Sequence, residues 1–173
     1  LTPDLRVYFH DKGIDLIANT LILNLATTNQ NGVQVFDIAQ IEQINPDTVI
    51  SFIGRTYGKD ASGNMIPTID YLEQPGKLKE NMRDNFYAPY NLALICQQLN
   101  MHFVYLGTGC IYTYTDDKRI FTEDDIPNFF GSSYSTVKGY TDQILRDFPN
   151  TLQLRIRMPI SKLRSPRNLI DKL

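Results

Sequence analysis

The chain has 173 residues, of which 42% are hydrophobic, with a mean hydropathy of -0.26 and a formal net charge of -2. This length suits one domain with a proper core, and the absence of any basic run does not favour nucleic acid as a partner. Because there is no run of about 18 apolar residues and no signal-peptide pattern at the start, we expect neither a membrane span nor membrane association.

The predicted elements alternate between strands and helices. The first half predicts a strand over 5–10, a helix over about 14–25, a turn at 29–32, a strand over 33–36, a helix over 38–44 ended by 45–47, and an apolar strand over 48–53. The second half predicts a polar loop over 58–69, a long amphipathic helix from about 77 or 81 to 99, a strand around 105, a loop over 113–130, a helix to about 147, and a strand over 152–158. This alternation, with nearly continuous apolar strands, predicts an α/β fold with a doubly wound parallel sheet.

The cysteines and histidines are too sparse for a metal site. Cys96 falls in a predicted buried helix and Cys110 at a strand end, whereas His10 and His102 stand apart from any Cys/His cluster. We therefore expect reduced thiols in a cytoplasmic protein and no bound metal.

Tyr134 and Lys138 lie four residues apart in the last predicted helix and therefore share one of its faces. A phenol has a pKa of about 10, and a neighbouring ammonium group favours the phenolate and lowers that pKa. The same spacing also occurs on ordinary solvated helix faces. Here the preceding strand ends at Thr108, whose hydroxyl can reach the same carbonyl oxygen as Tyr134, so we interpret the three residues as an acid–base site.

Several longer segments support a specific resemblance. They are SFIGRTYG at 51–58, TIDYLE at 68–73, RDN at 83–85, LGTGCI at 106–111, PNFFGSSY at 127–134, and RIRMPI at 155–160 with PRN at 166–168. Over about residues 45 to 173, the chain closely resembles the nucleotide-sugar 3,5-epimerase/4-reductases of the rhamnose pathway, which are extended short-chain dehydrogenase/reductases.

The resemblance implies a two-part reaction on a UDP- or dTDP-linked 4-keto-6-deoxy sugar. The sugar is epimerised at C3 and C5, and its C4 ketone is then reduced by NADPH or NADH to UDP-L-rhamnose or a related sugar nucleotide. It also implies a Rossmann-like domain over residues 1–173, a substrate lobe beyond this chain, and a homodimer formed through two of the helices.

The resemblance assigns roles to individual residues. The implied catalytic residues are Thr108, Tyr134 and Lys138 for reduction, with Cys110 and Lys172 for epimerisation. The implied cofactor-binding residues are Gly13, Asp37, Gly54, Arg55, Asn85, Tyr134, Lys138 and Pro159, and the implied substrate-binding residues are Arg55, Thr108, Ser132 and Asn168. Without the resemblance, Cys110 would be interpreted as a core cysteine and Lys172 as a surface lysine, whereas Asp37 is equally well explained as a helix cap.

The expected glycine-rich turn after the first strand departs from the family pattern. Only Gly13 remains, with His10 and Leu16 at the flanking glycine positions and with Asp11 and Asp15 nearby. Side chains obstruct close backbone approach to a pyrophosphate, and carboxylates repel it. The chain is therefore a fragment of a working enzyme, a degenerate relative, or a non-catalytic regulatory or scaffolding subunit, and the five intact reacting side chains favour the enzyme.

Overall fold

A computed structural model describes residues 26–28, 34–36, 38–115 and 120–158, together with 160, 162 and 170. The chain divides into two compact units, Leu1–Pro46 and Asp47–Leu173. The predicted strand over 5–10, helix over 14–25 and turn at 29–32 lie outside the described residues. The single domain over 1–173 stays a prediction.

In the first unit, strand β1 (Ala26–Thr28) pairs antiparallel with strand β2 (Gln34–Phe36), with Ala26 opposite Phe36. Strand β1 is an element that the sequence did not predict, because three residues are too few to show an alternating pattern. Helix α1 (Ile38–Ile44) has the predicted bounds. It ends where Asn45 adopts a φ of 45°, a left-handed conformation that Asn tolerates, immediately before Pro46.

The second unit contains a parallel sheet with helices. Its elements in chain order are strand β3 (Thr48–Ser51), strand β4 (Gly58–Lys59), strand β5 (Met65–Ile66), a 3-10 helix (Ile69–Glu73), helix α2 (Leu78–Met82), a π-helical segment (Arg83–Tyr87), helix α3 (Ala88–Gln98), strand β6 (His102–Thr108), helix α4 (Ser133–Leu145) and strand β7 (Thr151–Ile156).

Strand β6 is the centre of this sheet. The strand order is β3-β6-β7, and both pairings are parallel, with Tyr105 opposite Ser51 on one side and Gln153 on the other. Phe103 and Tyr105 are completely buried. Because parallel strands all point the same way, the carboxyl ends of β3 and β6 lie at the same edge of the sheet, where α/β proteins bind their ligands. The predicted parallel α/β sheet is confirmed.

The predicted loop over 58–69 is wrong in part, because β4 and β5 form an antiparallel hairpin there. The Asp60 carboxylate stabilises its turn by accepting hydrogen bonds from the backbone N–H groups of Ser62 and Asn64, at 2.9 and 2.8 Å. The predicted strand over 48–53 is also shorter than expected and ends at Ser51.

The predicted long helix over 77–99 is present, but a π-helical turn interrupts it. Pro89 has no N–H, so the carbonyl of Asn85 four residues earlier loses its helical donor. The hydroxyl of Thr141 on α4 donates to that carbonyl instead, at 2.8 Å. The helix irregularity therefore fixes a contact between this helix and α4.

Candidate active site

Helix α4 begins where Ser132 caps it. The Ser132 hydroxyl accepts a hydrogen bond from the N–H of Ser135 at 3.1 Å, which is the usual N-cap arrangement. The helix then buries a face of regular spacing, made of Tyr134, Ser135, Val137, Lys138, Thr141, Asp142 and Leu145. Tyr134 is 7% exposed and Lys138 5% exposed, so the solvated-face interpretation of this pair is wrong.

Tyr134, Thr108 and Cys110 come together at the carboxyl end of β6. Thr108 is the last residue of the strand, and its hydroxyl accepts a hydrogen bond from the N–H of Cys110 at 3.1 Å. Cys110 packs against the buried cluster that contains Tyr134 and Tyr71. Burial raises the pKa of Tyr134, a hydrogen bond with the Thr108 side chain lowers it, and electrostatic interaction with Cys110 raises it.

The ammonium group of Lys138 donates to the hydroxyl of Tyr105 and, at 3.4 Å, to the carbonyl of Leu106. Burial lowers the pKa of Lys138 to about 8, although electrostatic attraction to Asp142 opposes that shift. The sequence predicts that Lys138 lowers the pKa of Tyr134. In the structure the pKa of Tyr134 is raised, because burial outweighs the other effects on it.

Asp142 follows Lys138 by one helical turn and makes a partly buried ion pair with strand β7. Its two carboxylate oxygens accept hydrogen bonds from Nε and Nη2 of Arg155, at 2.7 and 2.8 Å. Arg155 also donates to the carbonyls of Thr122 and Glu123. This two-point pair fixes α4 against β7. The sequence signal that could have identified it is an arginine inside a strand and an aspartate at helical spacing from Lys138.

Glu73 also contributes to the site, although the sequence did not predict it as a site residue. Its carboxylate accepts hydrogen bonds from the first two N–H groups of α4, those of Ser133 at 2.8 Å and Tyr134 at 3.0 Å. A carboxylate there is favourable because the N-terminus of a helix has unpaired donors and a partial positive charge. Glu73 therefore orients the turn that bears Tyr134.

Asn85, which the sequence predicts to bind the cofactor, is buried and hydrogen-bonded within the protein. It is 1% exposed, its Oδ1 accepts from the N–H of Arg55, and its Nδ2 donates to the carbonyl of Arg55 and to Oδ1 of Asn81. A Cβ at Gly54 would lie 3.1 Å from Asn85 Oδ1, so glycine lets the loop approach this closely. The amide of Asn85 thus supports the loop after β3, and its direct contact with a cofactor stays a prediction.

The side chain of Arg55 is half-exposed and paired with Asp84 at 2.7 Å. Ser132, predicted to bind substrate, serves as the N-cap of α4. The remaining predicted site residues lie outside the described residues: Gly13, Asp37, Pro159, Asn168 and Lys172.

Among the described residues, no group of three or more His, Cys, Asp and Glu side chains could hold a metal ion. Both cysteines are free thiols. In the part of the chain that the structure describes, no helix is long and apolar enough to cross a membrane.

No family model matches the chain. Comparison with individual proteins, however, finds homologues. The chain is 55% identical over 139 residues to protein L780 of Acanthamoeba polyphaga mimivirus, covering 78% of this chain and 46% of that protein. It is 34% identical over 142 residues to the bifunctional dTDP-4-dehydrorhamnose 3,5-epimerase/dTDP-4-dehydrorhamnose reductase of Arabidopsis thaliana, covering 79% of this chain and 44% of that protein. The chain thus spans slightly less than half the length of each of these two relatives.

The solved structures agree. The crystal structure of the L780 UDP-rhamnose synthase superposes with a TM-score of 0.77 at 44% identity, over 98% of this chain and 56% of that chain. A dTDP-4-dehydrorhamnose reductase from Clostridium acetobutylicum shares the fold, with a TM-score of 0.69 at 18% identity over 98% of this chain and 52% of that chain. The chain is a homologue of the nucleotide-sugar epimerase/reductases of rhamnose synthesis, so the resemblance seen in its motifs is confirmed.

The buried ammonium of Lys138 makes the free energy of unfolding depend on pH. Its pKa is about 8 in the folded protein against an ordinary value of 10.5, so the unfolded chain binds more protons between these limits. Stability should therefore rise with pH from about 8 to about 10.5, by roughly 3 kcal/mol in total. Lys138→Met removes this dependence. Urea unfolding of both proteins at pH 7 and pH 10 measures it, with the exposed-lysine variant Lys79→Met as the matched control. A wild-type-minus-Lys138→Met difference that is the same at both pH values would contradict the prediction.

Proposed function

We propose that this homologue of the epimerase/reductases of rhamnose synthesis forms part of an enzyme that converts a UDP-4-keto-6-deoxy-hexose to UDP-L-rhamnose or a related 6-deoxy-L-sugar nucleotide. The reaction consists of C3/C5 epimerisation followed by reduction of the C4 ketone. The observation that supports it most is the meeting of Tyr134, Thr108 and Cys110 at the carboxyl end of β6, beside the buried ammonium of Lys138.

In the reduction, Tyr134 is the proton donor to the C4 oxygen. The Thr108 side chain lies close enough to the Tyr134 phenol to lower its pKa, which supports this role because two neighbouring hydroxyls can both reach one carbonyl oxygen. The raised pKa of Tyr134 keeps the phenol protonated at neutral pH, as a proton donor requires. Bound NADPH or NADH supplies the hydride.

Five of the described residues belong to the proposed cofactor site: Gly54, Arg55, Asn85, Tyr134 and Lys138. Gly54 and Arg55 follow β3 at the carboxyl edge of the sheet, and Asn85 fixes this loop through hydrogen bonds with the N–H and carbonyl of Arg55. Lys138 contributes a hydrogen-bond donor from inside the site, and in the proposal it holds the cofactor's ribose hydroxyls. Gly13, Asp37 and Pro159 complete the proposed cofactor site.

In the epimerisation, protons leave and return at C3 and C5, both next to the ketone that stabilises the enolate. Cys110 and Lys172 are the proposed acid–base pair. The position of Cys110 supports this role, since it lies two residues beyond Thr108 and packs against the cluster that contains Tyr134. Arg55, Thr108, Ser132 and Asn168 are the proposed substrate contacts.

The second candidate function is a non-catalytic reductase-like subunit. The departures at His10 and Leu16 from the glycine pattern favour it. Against it stands the burial of Lys138, because a charged group inside a protein costs stability, and a purely structural helix would serve better with an apolar residue there. The homodimer and the cytoplasmic location are also proposals, and the two free thiols support the latter.

Tyr134→Phe should lower the rate of C4 reduction at least about 100-fold, since it removes the proton donor. Exchange of the C3 and C5 protons with deuterated water should continue. Thr108→Val should cost less, on the order of 2 kcal/mol of transition-state stabilisation, because it deletes one hydrogen bond. Tyr140→Phe, at an exposed tyrosine of the same helix, is the control and should reduce at the wild-type rate. Normal reduction by Tyr134→Phe would show that Tyr134 is not the donor.

Cys110→Ser should depress the uptake of deuterium into the sugar at C3 and C5, measured by mass spectrometry, while reduction of an already epimerised ketose is largely kept. A hydroxyl is too weak an acid to replace a thiol in proton transfer. Cys96→Ala is the matched control, because Cys96 is fully buried in α3 and burial raises its pKa to about 12. Equal loss of both steps in Cys110→Ser would argue against a specific role in epimerisation.

NADPH or NADH should raise the melting temperature of the full-length protein, because a ligand that binds only the folded state stabilises it by mass action. The weak glycine pattern predicts a small shift, which His10→Gly combined with Leu16→Gly should enlarge. Differential scanning fluorimetry with each nucleotide at millimolar concentration measures this. If neither nucleotide shifts the melting temperature, the subunit hypothesis replaces the enzyme.

A further inference from the structure

Tyr105 is a buried tyrosine that none of the proposed steps uses. It lies on the central strand β6, between Ser51 of β3 and Gln153 of β7, and it is 0% exposed. Its hydroxyl accepts the hydrogen bond of the Lys138 ammonium group. A core position of this kind is usually filled by an apolar residue, so the presence of a phenol hydroxyl there requires an explanation.

The groups around Lys138 leave Tyr105 as its main acceptor. The carbonyl of Leu106 accepts only a long hydrogen bond of 3.4 Å. Asp142, one turn further along α4, attracts Lys138 electrostatically, but both of its oxygens are bound by Arg155 and it also faces Arg146 at 3.6 Å. Tyr134, the remaining titratable group of this face, acts on the Tyr105 phenol electrostatically.

The chemistry of Tyr105 fits a permanent acceptor. Burial raises the pKa of its phenol, and electrostatic repulsion from Tyr134 and Asp142 raises it further. The hydroxyl therefore stays neutral and keeps its lone pairs available to the ammonium. Lysine has a long side chain with a large rotamer entropy, so an acceptor fixed in a strand restricts where its Nζ lies.

We propose that Tyr105 is a positioning residue for the reduction: its hydroxyl holds the Lys138 ammonium group on the buried face of α4, in register with Tyr134. This inference rests on the proposed function for its kinetic consequence, but the hold itself is a property of the folded protein. Tyr105 acts only through Lys138 and does not contact the substrate.

Tyr105→Phe tests directly whether the Tyr105 hydroxyl positions the Lys138 ammonium group, because it deletes one oxygen and keeps the ring that fills the core. The first measurement is the NMR titration of the Lys138 13Cε resonance, assigned by its loss in Lys138→Met. Removing an acceptor disfavours the charged form, so the midpoint should move to lower pH than in the wild type. Tyr112→Phe is the matched control, since Tyr112 is also buried but donates to the carbonyl of Asp125. It should leave the Lys138 midpoint unchanged.

The second measurement is steady-state C4 reduction as a function of pH in the full-length protein. Tyr105→Phe should lower kcat about tenfold, with the KM of the sugar nucleotide little changed and with a pH profile displaced in the same direction as the Lys138 midpoint. A merely structural role would lower the melting temperature without displacing the profile. If Tyr105→Phe does not fold, 3-fluorotyrosine at position 105, a poorer acceptor of nearly the same shape, should move the midpoint in the same direction by less.

The outcomes separate the two proposals. An unchanged Lys138 midpoint in folded Tyr105→Phe overturns the positioning role, whatever happens to the rate. A shifted midpoint with an unchanged pH profile and kcat also overturns it, because the hold would then have no catalytic consequence. If the wild-type protein does not reduce the sugar at all, the proposed function fails, while the titration still establishes whether Tyr105 holds Lys138.

Discussion

An ammonium group inside a protein must be given oxygen partners, and much of the second unit is arranged around that requirement. Lys138 is nearly fully buried on α4, and its partners come from the central strand, namely the Tyr105 hydroxyl and the Leu106 carbonyl. Supplying these partners brings α4 onto β6 and determines which face of the helix is buried. The same face contains Tyr134, so the contact that offsets part of the cost of burying the ammonium group also places the phenol at the end of the strand.

A chain of polar side chains holds the other end of this arrangement. Glu73 binds the N–H groups of Ser133 and Tyr134, and the amide of Asn81 donates to the hydroxyl of Ser133 at 2.9 Å. Asn85 links Asn81 to the Arg55 backbone in the loop after β3. The two buried members, Asn81 and Asn85, are both hydrogen-bonded, which offsets the cost of burying their amides. The network connects the loop after β3 with the first turn of α4, at the edge of the sheet where α/β proteins bind nucleotides.

Regular elements whose ends are marked by turn-forming residues were predictable from the sequence. The bounds of α1 follow from its spacing and from Asn45 and Pro46, and the central strand follows from an uninterrupted apolar run ending in Gly107 and Gly109. The β4–β5 hairpin was not predictable, because its strands have two residues each and depend on the carboxylate of Asp60. The π-helical turn had a signal in Pro89, but the hydrogen bond that Thr141 donates to the freed carbonyl of Asn85, 56 residues earlier in the chain, is a tertiary contact.

The sequence predicted the main residues of the candidate site, but it did not predict their hydrogen-bond partners or the direction in which their pKa values shift. Residue type and spacing identify Tyr134 and Lys138, and the motif around Thr108 adds Cys110. Helical spacing, however, gives only the distance along a helix, and the acceptor that Lys138 selects depends on the neighbouring strand. Desolvation is likewise a property of the packed state, so the raised pKa of Tyr134 could not be obtained from the sequence. Glu73 lies 60 residues before Ser133, and nothing local marks it as a helix cap.

The ion pair between Asp142 and Arg155 restricts how this chain can change over evolutionary time. Replacing Arg155 leaves the buried Asp142 carboxylate with the longer contact to Arg146, and replacing Asp142 leaves the Arg155 guanidinium with backbone carbonyls as its hydrogen-bond partners, so either single change destabilises the protein. Replacing both together with apolar residues of similar volume costs much less. Substitutions at these two positions are therefore coupled. Selection acts against variants with only one of the two changed, so both residues are kept or both are replaced. In a set of related sequences, the two columns should vary together even though thirteen residues separate them.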